Sequence, residues 1–435
     1  MFISDSVSVF AEGTYEEQIH ELVDYIARNR SEEDRTALTQ SFQQLLKTDE
    51  GAKSLDEDDD RKRTIFSAVL NEVKGLGDGN EKEIEGFFNL LYSHLFSLWD
   101  SELDGARKHV TTLLRIISSS TSENPAPKYR ILSNLFNATP RSSALRLPIY
   151  TTLLQIATSN GNLDILCLSK KDVEQWLQQW NISAEEKSEF LKSIIDALTK
   201  SGQQEAAYEY TLPYLVSLPP SSPSSQQAAV DAIATALRLP SIFDFDSLFK
   251  LDAVVAAKDH ELFGLLHIFL SEGLTEFNTW VESHAEGITK YNLEKSQLER
   301  KIRLLTFASL GFDNIGRDLS YAQIASTLQI DPTEVEKWSI DVIRTGLLSG
   351  KLSQTAKTLY VTRSTARTFQ REQWEVLEKR LASYKADLAG VLDVVIAARR
   401  RHNGNVVSAL QQVSEGGNLD IAAVHGVVAA TAAAA

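Results

Sequence analysis

The sequence predicts a mostly α-helical protein. We expect a right-handed α-solenoid of helical pairs, of the HEAT or TPR kind, capped by a winged helix-turn-helix and followed by a long C-terminal helix. Three observations predict this arrangement. Apolar residues recur at helical spacing over most of the chain, without strand-like alternation. The spacing changes to alternation near residues 348–362, and a narrow apolar seam then runs from Trp374 to Val395.

Length and composition are those of a globular protein with more than one domain. The chain has 435 residues, of which 43% are hydrophobic and 24% are charged. Cys167 is the single cysteine, which excludes an intrachain disulfide and favours a reducing compartment. Residues Met1–Asp5 lack the pattern of a signal peptide, and the most apolar run, Leu262–Leu270, is too short for a bilayer. We therefore expect a cytoplasmic protein without membrane contact.

The N-terminal region, residues 1–124, is predicted to form helical repeats with an acidic and basic insert near residues 47–63. A helical apolar stripe over residues 19–26 precedes the insert. The centre of the insert, Asp56–Arg63, places acidic residues before basic ones, and we interpret it as an exposed loop or helix edge.

Residues 125–290 are predicted to continue the helical repeats as the first part of a C-terminal module. The segment Ser217–Ser225 is rich in serine and proline and has the composition of a linker. Because the helical spacing resumes at Val230, we interpret this segment as a loop within the array.

Residues 291–368 are predicted to form the winged helix. Its first helix spans roughly Glu294–Leu310. One face is apolar and carries Leu298, Ile302 and Leu305, whereas Glu299, Arg300, Lys301 and Arg303 lie mostly on the other.

Capping signals define the next two helices of the winged helix. Ser320, with Gln323 three residues later, opens the second, and Asp331–Glu334 opens the third. Gly346 is placed to end the third helix. Its expected buried stripe is Val335, Trp338, Val342 and Ile343. Alternating apolar residues then predict a hairpin of two strands.

Residues 369–401 are predicted to form a long helix, and residues 402–435 a flexible tail. The helix carries a seam with spacings of 3 and 4 residues, formed by Trp374, Leu377, Leu381, Tyr384, Leu388, Val391 and Val395. A seam so narrow and long suits a bundle with helices of other subunits, and we predict a subunit interface there. The alternative is an ordinary C-terminal helix that packs on its own domain.

Residue patterns typical of catalysis or cofactor binding are missing from the sequence. The histidines are scattered, and only His260 and His267 can share a helix face. The glycines of Gly75–Gly79 lack the spacing and context of a dinucleotide loop. We therefore expect a protein that is not an enzyme, with no catalytic residues, cofactor, metal or small-molecule ligand.

The winged helix is a poor candidate for reading DNA. The third helix, over Pro332–Gly346, has a net charge of −1, which duplex phosphates would repel. Between residues 293 and 368 there are 11 Lys and Arg against 8 Asp and Glu, in a chain of net charge −15. The more basic wing suggests a weak RNA contact through Lys351, Lys357, Arg363 and Arg367. The alternative is charge that only keeps the surface solvated.

The order of these parts resembles the PCI-domain family of scaffold subunits. Between residues 125 and 395 the detail is similar to the subunit M family of translation initiation factor 3. The segments that carry this likeness are Arg303–Phe307, Leu319–Tyr321, Val335–Thr345, Gly350–Thr355, Arg363–Phe369 and Gln373–Trp374, with Asn134–Asn137 and Trp176–Trp180 upstream. The block Asp56–Arg63 and the alanine-rich tail depart from it.

The resemblance implies a non-catalytic scaffold subunit of initiation factor 3 that supports recruitment of mRNA and initiator methionyl-tRNA to the small ribosomal subunit. It implies other PCI and MPN subunits as partners, and the small ribosomal subunit as a partner through the complex. Two alternatives are kept: a PCI scaffold subunit of the signalosome or proteasome lid, and a winged-helix regulator that binds nucleic acid. The identity of co-purifying subunits and the salt dependence of nucleic-acid binding distinguish them.

Overall fold

The computed structural model describes residues 13–47, 55–100, 104–120, 124–219, 222–368 and 371–415, with the backbone alone for residues 56, 285, 372 and 400–415. Helices dominate this part of the chain, as predicted. The helices before the winged helix are α1 (Tyr15–Ala27), α2 (Glu32–Leu46), α3 (Asp59–Glu72), α4 (Glu81–Leu98), α5 (Asp104–Ser119), α6 (Ala126–Ala138), α7 (Arg146–Ser159), α8 (Lys170–Gln179), α9 (Ala184–Lys200), α10 (Gln204–Ser217), α11 (Pro223–Arg238), α12 (Asp246–Phe249), α13 (Asp252–Ala256), α14 (Glu261–Ser271), α15 (Leu274–Ser283) and α16 (Ala285–Lys290).

The winged helix and the C-terminal helix follow. Their elements are α17 (Lys295–Asp313), β1 (Asp318–Ser320), α18 (Tyr321–Leu328), α19 (Val335–Arg344), β2 (Leu348–Ser353), β3 (Thr358–Ser364) and α20 (Arg371–Glu415). None of the helices within the described ranges is both long and apolar enough to span a bilayer.

Helices that lie close in sequence pack against each other along the array, which agrees with the predicted stacking. The first hydrophobic core runs from Ile19 to Tyr210 and includes α1–α10. It is continuous across residues 124 and 125, where the sequence suggested a division. The second core begins at Tyr208 and ends at Leu305, so the two cores meet at α10.

The acidic and basic block marks the start of a helix. Residues 48–54 lie outside the described part, Leu55–Glu57 form a 3₁₀ turn, and α3 follows. The Asp58 carboxylate accepts the Arg61 backbone N–H at 3.1 Å and so caps α3. The Arg61 guanidinium in turn donates to the carbonyls of Leu45 and Lys47 at 3.0 and 2.6 Å, near the end of α2. The acids therefore sit at a helix N-terminus, where they are favourable.

Helix α17 belongs to two cores at once. Leu298, Ile302 and Leu305 pack in the second core, as the apolar stripe predicted. Leu304, Phe307 and Ala308 pack in a third core, which is that of the winged helix. The end of the array and the winged helix are thus joined through one shared helix.

The winged helix has three strands rather than the two predicted. Strand β3 lies in the centre, with β2 on one side and the short β1 on the other, and both pairings are antiparallel. In the pairing of β1, Leu319 lies opposite Leu359, and both are buried. With three residues, β1 is too short for alternation to reveal it in the sequence.

Ser320 caps α18 as predicted, whereas Asp331 caps a 3₁₀ turn, Pro332–Glu334, that leads into α19. The Ser320 hydroxyl accepts the Gln323 N–H at 3.3 Å, and Asp331 accepts the Thr333 N–H at 2.8 Å. Gly346 has φ +76°, the left-handed conformation typical of a helix end. Ile343, however, is exposed, because α19 buries Val335, Ser339 and Val342 instead.

Helix α20 is longer than expected. It spans 45 residues and ends at Glu415, beyond the predicted end at residue 401. Gly404 lies inside it; an interior glycine weakens a helix by only about 1 kcal/mol, so it need not end one. The rest of the predicted tail, residues 416–435, lies outside the described part.

Candidate assembly interface

The seam of α20 is largely exposed among the described residues. Its side chains are all exposed, including Trp374 at 61%, Leu381 at 58% and Leu388 at 50%. On an α-helix, residues spaced by 3 and 4 lie on one face, so these exposed side chains form one continuous strip. Large apolar groups in such a strip favour burial against another surface.

A short strap, residues 365–368, follows β3 and is bonded to the body of the chain. The Thr365 backbone N–H donates to the Leu347 carbonyl at 2.9 Å. The Arg367 guanidinium donates to the Glu272 carbonyl at 2.6 Å and to the Thr306 hydroxyl at 2.8 Å. These bonds tie the strap to α17 and to the end of α14.

Arg367 therefore does not have the position that an RNA contact requires. Its guanidinium is turned inward, and burial lowers the pKa of Arg367 to about 10, which still leaves it charged at neutral pH. A sequence cannot distinguish an arginine that caps a helix from one that faces solvent. The other basic residues of the wing, Lys351, Lys357 and Arg363, are exposed.

Helix α19 presents a surface that differs from a DNA-reading helix. Its exposed residues include Ile340 and Ile343. Asp341 is paired with Arg300 of α17 at 3.1 Å, and Glu336 accepts from Gln354 of the wing at 3.2 Å. Its acidic side chains thus bind within the domain, and its exposed apolar residues suit protein contacts better than phosphate.

Lys301 is the residue whose role the sequence concealed. It was expected on the solvent face of α17, yet it is 2% exposed. Its Nζ donates to the carbonyls of Ala236, Leu237 and Leu239 at 2.7, 3.3 and 2.6 Å. These carbonyls lie at the C-terminal end of α11, where backbone carbonyls have no hydrogen-bond donor within the helix. Lys301 thereby locks α17 to the array.

The surroundings of Lys301 are apolar apart from these carbonyls. The ammonium lies over the rings of Phe243 and Phe245, at 5.8 and 5.1 Å from their centroids. Burial lowers the pKa of Lys301 to about 7. One signal was available: Lys301 precedes Leu304 and Leu305 by one helical turn, so it lies between the two apolar faces of α17.

The described residues also locate the histidine pair considered as a metal site. His260 Nδ1 accepts the Leu262 N–H at 3.2 Å, and its Nε2 lies 3.0 Å from the Tyr291 hydroxyl. His267 lies 3.6 Å from Glu272. Within the described ranges, no three His, Cys, Asp or Glu side chains are grouped closely enough to hold a metal ion.

Two family models match the region that carries the strap and the seam. The PCI domain model matches residues 281–363, which contain α17–α19 and all but the last residue of the sheet. A model of the C-terminal helix of initiation factor 3 subunit M matches residues 367–395, from the strap to the end of the seam.

Whole-chain relatives give the same assignment. Eukaryotic translation initiation factor 3 subunit M of Phaeosphaeria nodorum is 32% identical over 406 residues, covering 91% of this chain and 89% of its own length. The subunit M proteins of Aspergillus oryzae and Aspergillus clavatus are 30% and 31% identical, over 91% and 94% of this chain and 88% and 89% of their own lengths. The chain therefore belongs to the eukaryotic translation initiation factor 3 subunit M family, whose members are PCI-domain scaffold subunits acting in translation initiation.

Proposed function

We propose that this chain assembles into initiation factor 3 as a non-catalytic subunit by burying the seam of α20 against helices of other subunits. The observation that carries the proposal is the exposure of the whole seam, from Trp374 to Val395. Arg380 joins α20 to Phe312 of α17, while the seam residues lie outside the three hydrophobic cores.

Burial of the seam would supply a favourable energy of assembly. Fully burying a large apolar side chain contributes about 1.5–3 kcal/mol. The seam side chains are 36–62% exposed, so each contributes part of that amount on burial. The ordering of side chains and the association itself reduce the sum further.

The assembled factor sets the biological role of the chain. We propose PCI and MPN subunits of initiation factor 3 as direct partners in the cytoplasm. Through the complex, the chain supports recruitment of mRNA and initiator methionyl-tRNA to the small ribosomal subunit. Its contribution is to position neighbouring subunits.

Affinity purification of the tagged full-length chain tests this proposal. Mass spectrometry of the eluate is expected to recover the other subunits of initiation factor 3 in near-equal amounts. Recovery of signalosome or proteasome-lid subunits in their place would overturn the proposal, and so would recovery of the chain alone.

We also propose a weak contact between the wing and RNA phosphates, through Lys351, Lys357 and Arg363. The observation in its favour is that all three side chains are exposed on or beside the sheet. The isolated chain is expected to bind a single-stranded RNA oligonucleotide more weakly than micromolar, with affinity that falls as salt rises. Replacing the three residues by alanine is expected to remove the remaining binding. Nanomolar, steeply salt-dependent binding would favour a nucleic-acid regulator instead.

A further inference from the structure

Part of the helical array is strongly basic, although the chain as a whole is acidic. Residues 105–163 contain seven Lys and Arg and a single acidic residue, Glu123, so this stretch has a net charge of +6 in a chain of net charge −15. It is more basic than the winged helix, where the excess is three. A local cluster of positive charge on such a chain indicates an anionic partner.

The structure separates the cations of this stretch that support the fold from those that face outward. Lys128 and Arg146 are both buried, and each donates to a backbone carbonyl. Arg130 pairs with Glu81 at 3.4 Å. These three side chains have partners within the chain and contribute little to an external binding surface.

Three other cations form the outer face of α5. Arg107, Lys108 and Arg115 are exposed, and none of them forms an ion pair with another described residue. At 3.6 residues per turn they lie within about 100° of the helix surface, and Arg107 and Arg115 are about 12 Å apart along its axis. Asp104 lies on the same face in the first turn, where a carboxylate interacts favourably with the helix N-terminus. The face therefore retains an excess of positive charge.

The surface beside these cations is polar and uncharged. Helix α7 packs next to α5, and its exposed residues Gln155 and Ser159 carry no charge. Within the described ranges 104–120 and 124–159, no large apolar side chain is exposed. Protein interfaces have an apolar core, whereas phosphate is bound by Arg and Lys together with the hydroxyl and amide groups of Ser, Thr and Gln. This face therefore suits a phosphate backbone better than a protein.

The aromatic residues of the same region decide which kind of RNA fits. Proteins that bind single strands stack the bases on aromatic side chains. Here Tyr129, Phe136 and Tyr150 are buried. His109 is half-buried and packs against Trp99. Double-helical RNA is recognised largely through its shape, its phosphates and its 2′-hydroxyl groups, so exposed cations without exposed rings suit a duplex.

We propose that the outer face of α5 binds the phosphate backbone of double-helical RNA through Arg107, Lys108 and Arg115. RNA is the duplex that a translation factor encounters. The proposal goes beyond assembly, because it does not involve the seam of α20. It also differs from the contact proposed for the wing, which is tested with a single strand.

Fluorescence anisotropy with the full-length chain and a blunt RNA duplex of about 16 base pairs tests the proposal. With a slope of about 0.9 per phosphate contact, as for duplex DNA, three contacts predict that affinity falls roughly 40-fold between about 50 and 200 mM salt. A fall of less than about fourfold would show that fewer than the three proposed cations take part.

Charge reversal identifies the face. Arg107→Glu combined with Arg115→Glu is expected to weaken binding of the duplex at least tenfold at about 50 mM salt, and to reduce the salt slope by about two. The matched control is Lys192→Glu combined with Lys200→Glu, which reverses two exposed charges at the same spacing on α9. The control is expected to weaken binding less than about threefold. Circular dichroism checks the fold, and Arg107→Gln combined with Arg115→Gln serves as the milder pair.

Three results would overturn the proposal. The first is no detectable binding of the duplex by the wild type at low salt, and the second is an equal loss in the α5 pair and its α9 control. The third is loss of duplex binding when Lys351, Lys357 and Arg363 are replaced by alanine, which would place the duplex on the wing.

Affinity purification separates this inference from the assembly proposal. The variant with Arg107→Glu and Arg115→Glu is expected to recover the same subunits as the wild type, because the seam of α20 is unchanged. Loss of a subunit together with unchanged duplex binding would identify the α5 face as a protein contact and overturn the inference. Assembly through the seam would then still stand on its own test.

Discussion

Helices α17 and α20 carry similar apolar patterns but end in different surroundings. Leu298 and Leu305 of α17 are almost fully buried within the chain, whereas Leu381 and Leu388 of α20 are exposed by half or more. In each pair the leucines are seven residues apart. Helical spacing therefore identifies an apolar face, and only the tertiary structure shows whether the chain itself buries that face.

The two helices also differ in the surroundings of their basic residues. Lys301 of α17 is enclosed and donates to carbonyls of α11, whereas Arg380 of α20 lies at the surface over Phe312. Lys301 stabilises the packing of α17 against α11, whereas Arg380 only helps to orient α20. Matched substitutions in α17 and α20 are thus expected to damage different properties.

The largest effect is expected for Leu298→Asp combined with Leu305→Asp. Each change buries a carboxylate in a packed core and removes apolar contacts, and a buried unpaired charge is strongly unfavourable. Stability should fall by more than about 5 kcal/mol, comparable to the whole stability of a typical domain. Urea unfolding followed by circular dichroism measures it. A folded double variant of near-normal stability would contradict the burial of this face.

The matched pair in α20, Leu381→Asp with Leu388→Asp, is expected to leave the fold intact and to release the chain from its complex. Association should weaken at least a hundredfold, about 3 kcal/mol. Co-sedimentation with the complex measures the release, and circular dichroism checks the fold.

The control for this pair is Ala382→Asp with Ala389→Asp, which adds the same charges one residue away from the seam. It should remain in the complex. Unchanged co-sedimentation of the Leu381 and Leu388 variant would show that the seam is not needed for assembly.

A smaller loss of stability is expected for Lys301→Met. Methionine retains much of the side-chain volume but leaves the carbonyls at the end of α11 without a donor, which costs about 1–3 kcal/mol. Chemical denaturation at pH 7 measures the change. Arg300→Met, at an exposed neighbouring position, is expected to cost less than about 1 kcal/mol. Equal effects of the two would refute the locking role of Lys301.

The same lysine predicts a pH dependence. Its pKa is lowered from 10.5 to about 7, so between these values the unfolded chain holds a proton that the folded chain has released. The contribution of Lys301 to stability therefore rises with pH, by at most about 1.4 kcal/mol per pH unit. Unfolding midpoints of the wild type and Lys301→Met at pH 7 and pH 9 measure it. From pH 7 to pH 9 the stability of the wild type should increase relative to that of the variant. Equal changes in both proteins would exclude the effect.

The smallest effect is expected for Arg380→Ala. Arg380 donates to the Phe312 carbonyl at 3.2 Å and lies 5.1 Å from its ring centroid, a contact at the surface between α17 and α20. Such exposed contacts contribute about 1 kcal/mol or less. The midpoint temperature of thermal unfolding should change by no more than a few degrees. A larger loss would indicate that α20 packs more firmly on the winged helix.

Features that depend on residues close in sequence were easier to predict than features that depend on distant residues. The capping by Ser320 and the left-handed Gly346 follow from neighbours a few residues away, and both were predicted correctly. The strand β1 was missed because its pairing with β3 joins residues some 40 positions apart. The inward position of Arg367 was missed for the same reason, since its acceptors lie at the end of α14 and on α17.

The sequence by itself determined that helices form, where several of them begin and end, and that one face of α20 is apolar, because helical periodicity and capping act over a few residues. The tertiary structure decided that Lys301 closes α11 and that α17 belongs to two cores. It also decided that the chain leaves the seam of α20 exposed. These outcomes depend on which distant segments contact each other, and a local sequence pattern does not specify such contacts.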